Sequence, residues 1–259
     1  MCLIALAWQA HPEYRLVLCA NRDEFHDRPA APLQWWSDRP RVLGGRDLQA
    51  GGSWLAIGRS GRLAMVTNYR EDLKAQAGIR SRGDLVAGFV TGSASPEQFT
   101  ASLDGGIYAG FSLLVADFAE RGQTLAYVSN RGDPARTLPP GIYGLSNASL
   151  DTPWPKVLRS KSRLATLLED RVIEPEALMA MLADREPGGG GDIADVIADD
   201  LPPQAMRAIA APFVAMPDYG TRCSTVVLVE TAGHVSVFER RFDRTGEANG
   251  ESQFEFDLS

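Results

Sequence analysis

The order of strand-like and helix-like segments constrains this chain more than any other feature. Apolar runs typical of strands fill the first 70 residues, and CLIALAW (2–8) with RLVLCAN (15–21) predicts a hairpin. Further strands are predicted at 53–58, 62–68, 111–117, 124–130, 141–147, 224–230 and 234–242. Helical periodicity occurs at 81–92, 96–103, 154–169 and 175–184. Strands come first, helices cluster in the middle and strands return, which favours an α+β layered domain over alternating βαβ units.

Two details of this pattern carry specific expectations. In the helix over 154–169, five residues are expected to share the buried face, and Thr152 or Asp151 is expected to cap its start. The five are Val157, Leu158, Leu164, Ala165 and Leu168. The glycine-rich segment 186–192 predicts a flexible loop without chemistry.

Residues 25–40 predict an irregular loop, because three prolines surround the pair Trp35–Trp36. These two aromatic side chains could line a ligand cleft. The alternative is that they pack in the core or at its rim.

Composition restricts the class of protein. The chain has 259 residues, 44% of them hydrophobic, which predicts one domain over 1–259 with a substantial core. Its formal net charge of −7 argues against a nucleic-acid partner. Three cysteines and three well-separated histidines match no metal or disulfide pattern, so no metal and no cofactor are expected. No secretory signal or integral membrane segment is recognisable, and a cytoplasmic protein is expected. The oligomeric state stays open.

Cys2 stands directly after Met1, at the head of the first apolar run. If Met1 is removed, this residue carries both a thiol and a free α-amine. An α-amine has an ordinary pKa of about 7.7–8.0, so it can act as a general base near neutral pH without a histidine. The alternative is an inert buried cysteine, a common role for this residue type. Position alone leaves both interpretations open.

The segment NRDE follows the second predicted strand and supplies candidate partners for Cys2. Alternation along a strand puts Asn21 and Asp23 on one face, and Arg22 and Glu24 on the other. A carboxylate on the strand that pairs with the first strand could hydrogen-bond the Cys2 amine and orient it. The alternative is a solvated strand end with a local Arg–Glu pair.

Three further polar residues lie at or near strand ends. Asn68 ends a predicted strand, where side chains and backbone amides often face a cleft. Asn147 ends another, where its amide can donate to an oxyanion, although a turn or cap role is the usual alternative. Arg222 precedes the strand at 224–230 and could steady a carboxylate or an anionic substrate group. For this arginine the alternative is a surface salt bridge.

Six segments, taken in order along the chain, resemble the NRDE family, the family of transport and Golgi organisation protein 2. The resemblance runs from Met1 to about Phe242 and rests on MCLIALAW, ANRDEF, GGRDLQAGGSWLAI, GRLAMVTNYRE, GLSNASLDTPWPKV and YGTRCSTVVLV. This family in turn resembles N-terminal-nucleophile (Ntn) hydrolases of the choloylglycine and penicillin V acylase type. The resemblance implies a four-layer αββα sandwich, in which two antiparallel sheets stack with helices outside.

The same resemblance implies roles for individual residues. Cys2 would be the nucleophile after Met1 removal, and Asp23 would orient its amine. The backbone of Asn68 and the side chain of Asn147 would form an oxyanion hole, with Arg222 supporting the cluster. Arg22, Trp36 and Tyr69 are expected to contact the substrate. One difference is that Ala20 stands where those acylases carry an arginine three residues before the aspartate.

The implied activity is hydrolysis of a non-peptide, small-molecule amide. The alternative is a noncatalytic trafficking protein that uses the same cleft for a haem-like, acyl-CoA or lipid ligand.

Overall fold

The computed structural model describes residues 2–70, 80–118, 123–187 and 202–259. These residues belong to two compact units. The first unit comprises the N-terminal segment through Asp27, Pro140–Ser146 and Leu150–Glu255. The second comprises Arg28–Pro139, Asn147–Ser149 and Phe256–Ser259. The expectation of one domain over 1–259 stays a prediction.

The described residues form strands and helices with the following bounds. The strands are β1 Cys2–Trp8, β2 Tyr14–Phe25, β3 Ala30–Trp36, β4 Arg39–Asp47, β5 Leu55–Gly58, β6 Arg62–Asn68, β7 Phe111–Asp117, β8 Thr124–Ser129, β9 Arg136–Thr137, β10 Gly141–Leu145, β11 Tyr219–Glu230, β12 His234–Phe242 and β13 Ala248–Asp257. The helices are α1 Gly83–Thr91, α2 Pro96–Ala101, α3 Pro155–Leu167, α4 Pro175–Leu182 and α5 Pro203–Ala210, with a 3-10 turn at Gly105–Ile107.

The first unit is built on a six-stranded sheet with the order β10-β1-β2-β11-β12-β13. Alternation in β1 and β2 puts Ala5, Val17 and Cys19 on one face, where Leu164 of α3 and Leu178 of α4 pack against them. All five side chains are fully buried. The helices therefore cover one face of this sheet, and odd-numbered residues of β1 point toward them.

The second unit is built on a seven-stranded sheet with the order β3-β4-β5-β6-β7-β8-β9. Helix α1 packs Leu85 and Phe89 onto Ala64 and Val115 of the central strands, in a continuous apolar core. Helix α2 begins with a capping box, in which Ser95 and Gln98 satisfy each other's backbone N–H groups. The strands expected at 2–8, 62–68, 111–117, 124–130, 224–230 and 234–242 are confirmed to within a residue, or extended at their ends.

The prediction of an irregular loop over 25–40 is wrong, because this segment contains β3 and the start of β4. Pro32 is tolerated because β3 is the edge strand of its sheet, where a missing N–H needs no partner. Pro40 is the second residue of β4. The residues of β4 that pair with β5 are Val42 to Gly44, so Pro40 lies before this pairing begins.

The cap expected for α3 is also wrong. Its N-cap residue is Trp154, which makes no side-chain cap bond, and Pro155 occupies the first helical position. Asp151 instead accepts hydrogen bonds from the Gly144 N–H at 2.8 Å and from Lys161 Nζ at 2.6 Å. The carboxylate therefore ties the helix to β10.

The buried face of α3 is only partly the one expected. Val157 and Leu164 are buried as predicted, whereas Leu158 is 54% exposed and Ala165 is exposed. Lys156 and Ser160 are buried in their place. The apolar pattern therefore missed a polar stripe on the inner side of this helix.

Two elements near the C-terminus escape the sequence analysis. Helix α5 is one, and β13 is the other, at the edge of the six-stranded sheet. Most side chains of β13 are polar and exposed, so the strand shows no apolar run. In the predicted loop 186–192, residues 188–192 lie outside the described residues. Within the described ranges, no helix is both long enough and apolar enough to span a membrane.

Candidate active site

Cys2 lies in a row of three side chains that crosses the first sheet. It pairs with Arg22 on β2, and Arg22 pairs in turn with Cys223 on β11. Directly opposed residues of antiparallel strands share a face. The row therefore lies on the face that α3 and α4 do not cover. Cys2 is half-buried, while Arg22 and Cys223 are buried.

Asp23 is fixed by both its side chain and its backbone. Its carboxylate is buried and accepts a 2.7 Å hydrogen bond from Thr221 Oγ1. That hydroxyl oxygen also accepts the Val214 N–H at 2.9 Å. The Tyr219 hydroxyl donates to the Asp23 carbonyl at 2.8 Å. The main-chain and side-chain oxygens of Asp23 are thus both anchored to the segment that leads into and begins β11.

Burial raises the pKa of the Asp23 carboxyl above its ordinary value. Four groups act in the opposite direction and favour the carboxylate: first the positive charge of the chain's N-terminus, then the ammonium of Lys156, the hydroxyl of Thr221 and the guanidinium of Arg22. The ionised state of Asp23 therefore depends on these neighbours.

Burial also raises the pKa of the Cys2 thiol, and the negative charge of Asp23 raises it further. The positive charge of the chain's N-terminus, a hydrogen bond from the Asp23 backbone to the sulfur and the charge of Arg22 all lower it, without reversing the shift. At neutral pH the thiol is therefore protonated, and a base must remove its proton before the sulfur can act as a nucleophile.

Arg222 is the extra residue of a β-bulge between Thr221 and Cys223. A bulge re-aims the side chain that it inserts, and here Arg222 Nη1 donates to the Phe25 carbonyl at 2.8 Å. Burial lowers the pKa of Arg222, and the neighbouring positive charge of Arg22 lowers it further. The two guanidinium groups therefore lie close enough to repel each other.

Asn21 anchors the NRDE segment to the helix side of the sheet. Its Nδ2 donates to the carbonyls of Leu182 and Pro212, both at 2.9 Å, and its Oδ1 accepts from Ser224 Oγ at 2.6 Å. The side chain is 2% exposed, so these bonds are shielded from water. On the opposite side of Cys2, Ser146 Oγ donates to the Cys2 carbonyl at 2.7 Å.

Lys156 is a residue of this region that the sequence analysis missed. It lies in the first turn of α3, is 1% exposed, and favours the ionised form of Asp23. The sequence does contain a signal for the burial of this lysine. It lies between Pro155 and Val157, at a helix start and next to a residue predicted to be buried. A lysine is almost never fully buried unless it is paired.

In the second unit, Asn147 Nδ2 donates to the Asn68 carbonyl at 2.7 Å, and Asn147 is buried. The Asn147 carbonyl accepts the Arg70 N–H at 2.7 Å, and Tyr69 N–H donates to Gly110 at 2.9 Å. Because the Tyr69 amide bonds toward β7, the N–H and carbonyl of Asn68 point away from that strand. The two asparagines predicted to form an oxyanion hole are thus hydrogen-bonded to each other.

The expectation that Trp36 contacts a substrate is not supported, because its ring is 3% exposed in the core of the second unit. Its Nε1 donates to the Gly44 carbonyl at 3.0 Å, and the Arg46 guanidinium covers the ring at 3.8 Å. Trp36 therefore packs in the core, as the alternative interpretation predicts. Tyr69 is half-buried, and its contact with a substrate stays a prediction.

The predicted site residues therefore occur in two groups. Cys2, Arg22, Asp23 and Arg222 lie together at one corner of the six-stranded sheet, and Asn68 and Asn147 lie together in the second unit. The joint action of the two groups stays a prediction.

Two other features bear on ligand binding. No group of three or more His, Cys, Asp or Glu side chains in the described part of the chain could hold a metal ion. A groove of about 510 Å³ in the first unit is lined by residues that include Met179, Phe238 and Arg240, and by none of the predicted site residues.

Comparison with solved structures defines the class of fold. The chain is similar to a Caenorhabditis elegans orthologue of N-acylethanolamine-hydrolyzing acid amidase, with a TM-score of 0.50 and 11% identity over 88% of this chain and 92% of that one. It is also similar to a mutant conjugated bile acid hydrolase from Clostridium perfringens, with a TM-score of 0.52 and 8% identity over 100% and 98% of the two chains. The predicted α+β sandwich of the Ntn-hydrolase type is thereby confirmed as the fold class.

Sequence comparison then gives the family. The profile of the Transport and Golgi organisation 2 family matches residues 1–244, and this chain belongs to that family. It is 38% identical to the bovine Transport and Golgi organization protein 2 homolog over 256 residues, or 93% of this chain and 92% of that protein. The human homolog is 35% identical over 257 residues with the same coverage. The Drosophila melanogaster protein is 27% identical over 187 residues, or 65% of each chain.

Proposed function

We propose that this protein is a cysteine-dependent hydrolase of a non-peptide amide, with Cys2 as the nucleophile after Met1 has been removed. The observation that carries the proposal is the arrangement at the start of β1 and the end of β2. There the Cys2 sulfur accepts a bond from the Asp23 backbone, beside a buried carboxylate and a buried guanidinium. The likeness to two amide-hydrolysing enzymes of the same fold class supports it.

The α-amine of Cys2 is the base that the raised thiol pKa calls for. In the proposed reaction this amine takes the thiol proton, and the sulfur attacks the amide carbonyl carbon to give a tetrahedral oxyanion. The family resemblance assigns the stabilisation of this oxyanion to Asn68 and Asn147.

The C–N bond then breaks, and the ammonium of Cys2 returns a proton to the leaving amine, which leaves a thioester on the sulfur. Water, deprotonated by the same amine, attacks the thioester carbonyl. The acid departs and the thiol is restored, so no external oxidant or reductant is needed.

The neighbouring residues have supporting roles in this proposal. The Asp23 carboxylate would accept a hydrogen bond from the Cys2 amine and hold it toward the sulfur. Arg222 would support the cluster from its bulge, while Arg22 and Tyr69 would contact the substrate. Arg22 lies directly across from Cys2, which favours this assignment.

One observation favours a second candidate function, which is noncatalytic binding of a haem-like, acyl-CoA or lipid ligand in trafficking. The raised pKa of the Cys2 thiol is what a packing cysteine shows, and a chain that keeps Met1 has no α-amine on residue 2 to activate it. The names of the relatives, which refer to transport and Golgi organisation, agree with such a role.

A substrate screen with matched cysteine variants tests the proposal. Intact mass first establishes whether Met1 is absent, and the protein is then assayed on a panel of N-acyl amides. We expect Cys2→Ala to abolish hydrolysis, with a loss of about 10³-fold or more, while the Cys223→Ala control keeps it. Haemin and acyl-CoA titrations run in parallel. Binding of either that is unchanged in Cys2→Ala, together with no hydrolysis by the Met1-free protein, would support the carrier function instead.

A further inference from the structure

The first turn of α3 contains a lysine whose burial needs an explanation. Lys156 is 1% exposed and ranks among the largest fully buried side chains of the described residues. An ammonium removed from water is strongly destabilising unless an anion and hydrogen bonds compensate it. This lysine therefore indicates a buried counter-charge.

The helix directs Lys156 toward the start of β1. Lys156 and Leu164 are two steps of four residues apart, so they lie on one helix face, and Leu164 packs on the sheet beside Ala5. The first turn of α3 lies close to β10. A Cβ added to Gly144 of that strand would come within 2.6 Å of Val157 Cγ1. Gly144 pairs with Ala5 across β10 and β1. Lys156 therefore lies over the N-terminal part of β1, next to the end of β2.

Asp23 is the buried carboxylate that fits this position. Among the described residues, the buried acidic residues are Asp23 and Glu239, each 2% exposed. The side chain of Asp184 is 6% exposed, but it pairs with Arg159 and Arg163. Glu239 pairs with Arg241 at 3.3 Å, and alternation along β12 puts it on the face away from the helices. Asp23 shares the helix side with Asn21 by the same alternation, and the charge of Lys156 lowers its pKa.

A second buried polar atom lies on the same stripe of α3. Ser160 is one turn after Lys156 and is 2% exposed, and its Oγ has no hydrogen-bond partner among the described residues. A hydroxyl buried for packing alone usually bonds a backbone carbonyl. The Lys156–Ser160 stripe is therefore better explained by a polar site beneath the sheet than by core packing.

We propose that Lys156 is a positioning residue, whose buried ammonium holds the Asp23 carboxylate ionised beside Cys2. The inference deepens the proposed hydrolase function and rests on it for its catalytic meaning. Loss of the ammonium raises the pKa of Asp23 further and lowers its ionised fraction, so the carboxylate stabilises the protonated Cys2 amine that forms with the thiolate less well.

A double-mutant cycle on stability tests the pairing without using activity. Melting temperatures are measured at pH 7.5 for the full chain, Lys156→Met, Asp23→Asn and the double variant. Methionine keeps the apolar stem of lysine, and asparagine keeps the shape of aspartate. We expect each single variant to melt well below the parent, and the double variant to recover at least half of the larger loss, because it buries no lone charge. Additive losses would overturn the proposal.

Alkylation of Cys2 tests the consequence for the site. The rate of iodoacetamide labelling of Cys2 at pH 7.5, read by peptide mass, is expected to fall about tenfold in Lys156→Met, which corresponds to one pKa unit. In the Asp23→Asn background the same change is expected to alter the rate less than about twofold, because the ammonium acts through the carboxylate. Lys161→Met is the matched control, since it removes the same charge from α3 at a lysine that pairs with Asp151 instead.

The two experiments separate the inference from the proposed function. Strong coupling in stability with no hydrolysis on any amide would keep the Lys156–Asp23 pair and reject the hydrolase. Hydrolysis that depends on Cys2, together with additive stability losses and equal alkylation effects in both backgrounds, would keep the hydrolase and reject the role of Lys156.

Discussion

Replacing Asn21 by leucine is expected to destabilise the first unit strongly, although the two side chains have similar size. The buried Asn21 amide satisfies three groups: the carbonyls of Leu182 and Pro212 and the hydroxyl of Ser224. Each group that is left buried without a partner costs about 1–3 kcal/mol. Taking the lower part of that range for each, because small shifts admit some water, gives about 3–5 kcal/mol.

A loss of this size is a large share of the stability of a folded domain, which is about 5–15 kcal/mol. For a chain of this length it corresponds to a fall in melting temperature of about 6–20 °C, at about 2–4 °C per kcal/mol. Calorimetry and urea unfolding at pH 7.5 measure the change. Ser224→Ala is the matched control, because it removes one of the three bonds and is expected to cost about 1 kcal/mol.

The Asn21→Leu variant should also affect the candidate site, because Asn21 is two residues from Asp23 on the same strand face. Slower alkylation of Cys2 in the folded Asn21→Leu protein is the expected result. A loss below about 1 kcal/mol would refute the reasoning, since it would mean that water or another donor already satisfies the two carbonyls.

Two further predictions concern the thiols and the carboxylate. Limited iodoacetamide treatment of Met1-free protein should label Cys2 before Cys19 and Cys223. Burial raises the pKa of the Cys19 and Cys223 thiols, and these two residues are at most 4% exposed. Preferential labelling of Cys19 or Cys223 would contradict the assignment. Thr221→Val removes a bond that favours the Asp23 carboxylate, so the pKa of Asp23 should rise further and the acidic limb of the Cys2 alkylation profile should move to higher pH. An unmoved profile would mean that Asp23 does not govern the thiol.

The fold was predictable from the sequence where side chains alternate or recur with a clear period. β1 has nearly every residue buried and reads as an apolar run, and α1 has a continuous apolar face. The prediction failed for β3 and the start of β4 because prolines indicate a loop, although an edge strand tolerates proline. β13 was missed because an exposed edge strand needs no apolar residues.

The sequence predicts those site residues that lie at the end of a strand or directly after the first methionine. Arg22 and Asp23 could be assigned to opposite faces by alternation alone, and Arg22 does lie across from Cys2. The hydrogen bond from Thr221 and the charge effect of Lys156 could not be assigned to Asp23 from the sequence, because these residues come from a bulged strand and from a helix far along the chain. Trp36 shows the reverse error, since an aromatic pair near prolines has the same pattern whether it lines a cleft or fills a core.

The protonated state of Cys2 makes removal of Met1 the step that separates the two candidate functions. The surroundings of the sulfur raise its pKa, and the Asp23 carboxylate adds to that effect, so neither creates a thiolate. Asp23 can assist a nucleophile here only by stabilising a cation that forms together with the thiolate, and an α-amine on Cys2 is such a group. In a chain that has lost Met1, this cation lies on the nucleophilic residue itself, so the carboxylate supports the base that removes the thiol proton. We expect the alkylation rate of Cys2 at pH 7.5 to rise about tenfold or more between the two forms, by the equivalent of at least one pKa unit. Asp23→Asn should remove most of that difference, and equal rates in the two forms would favour the carrier function.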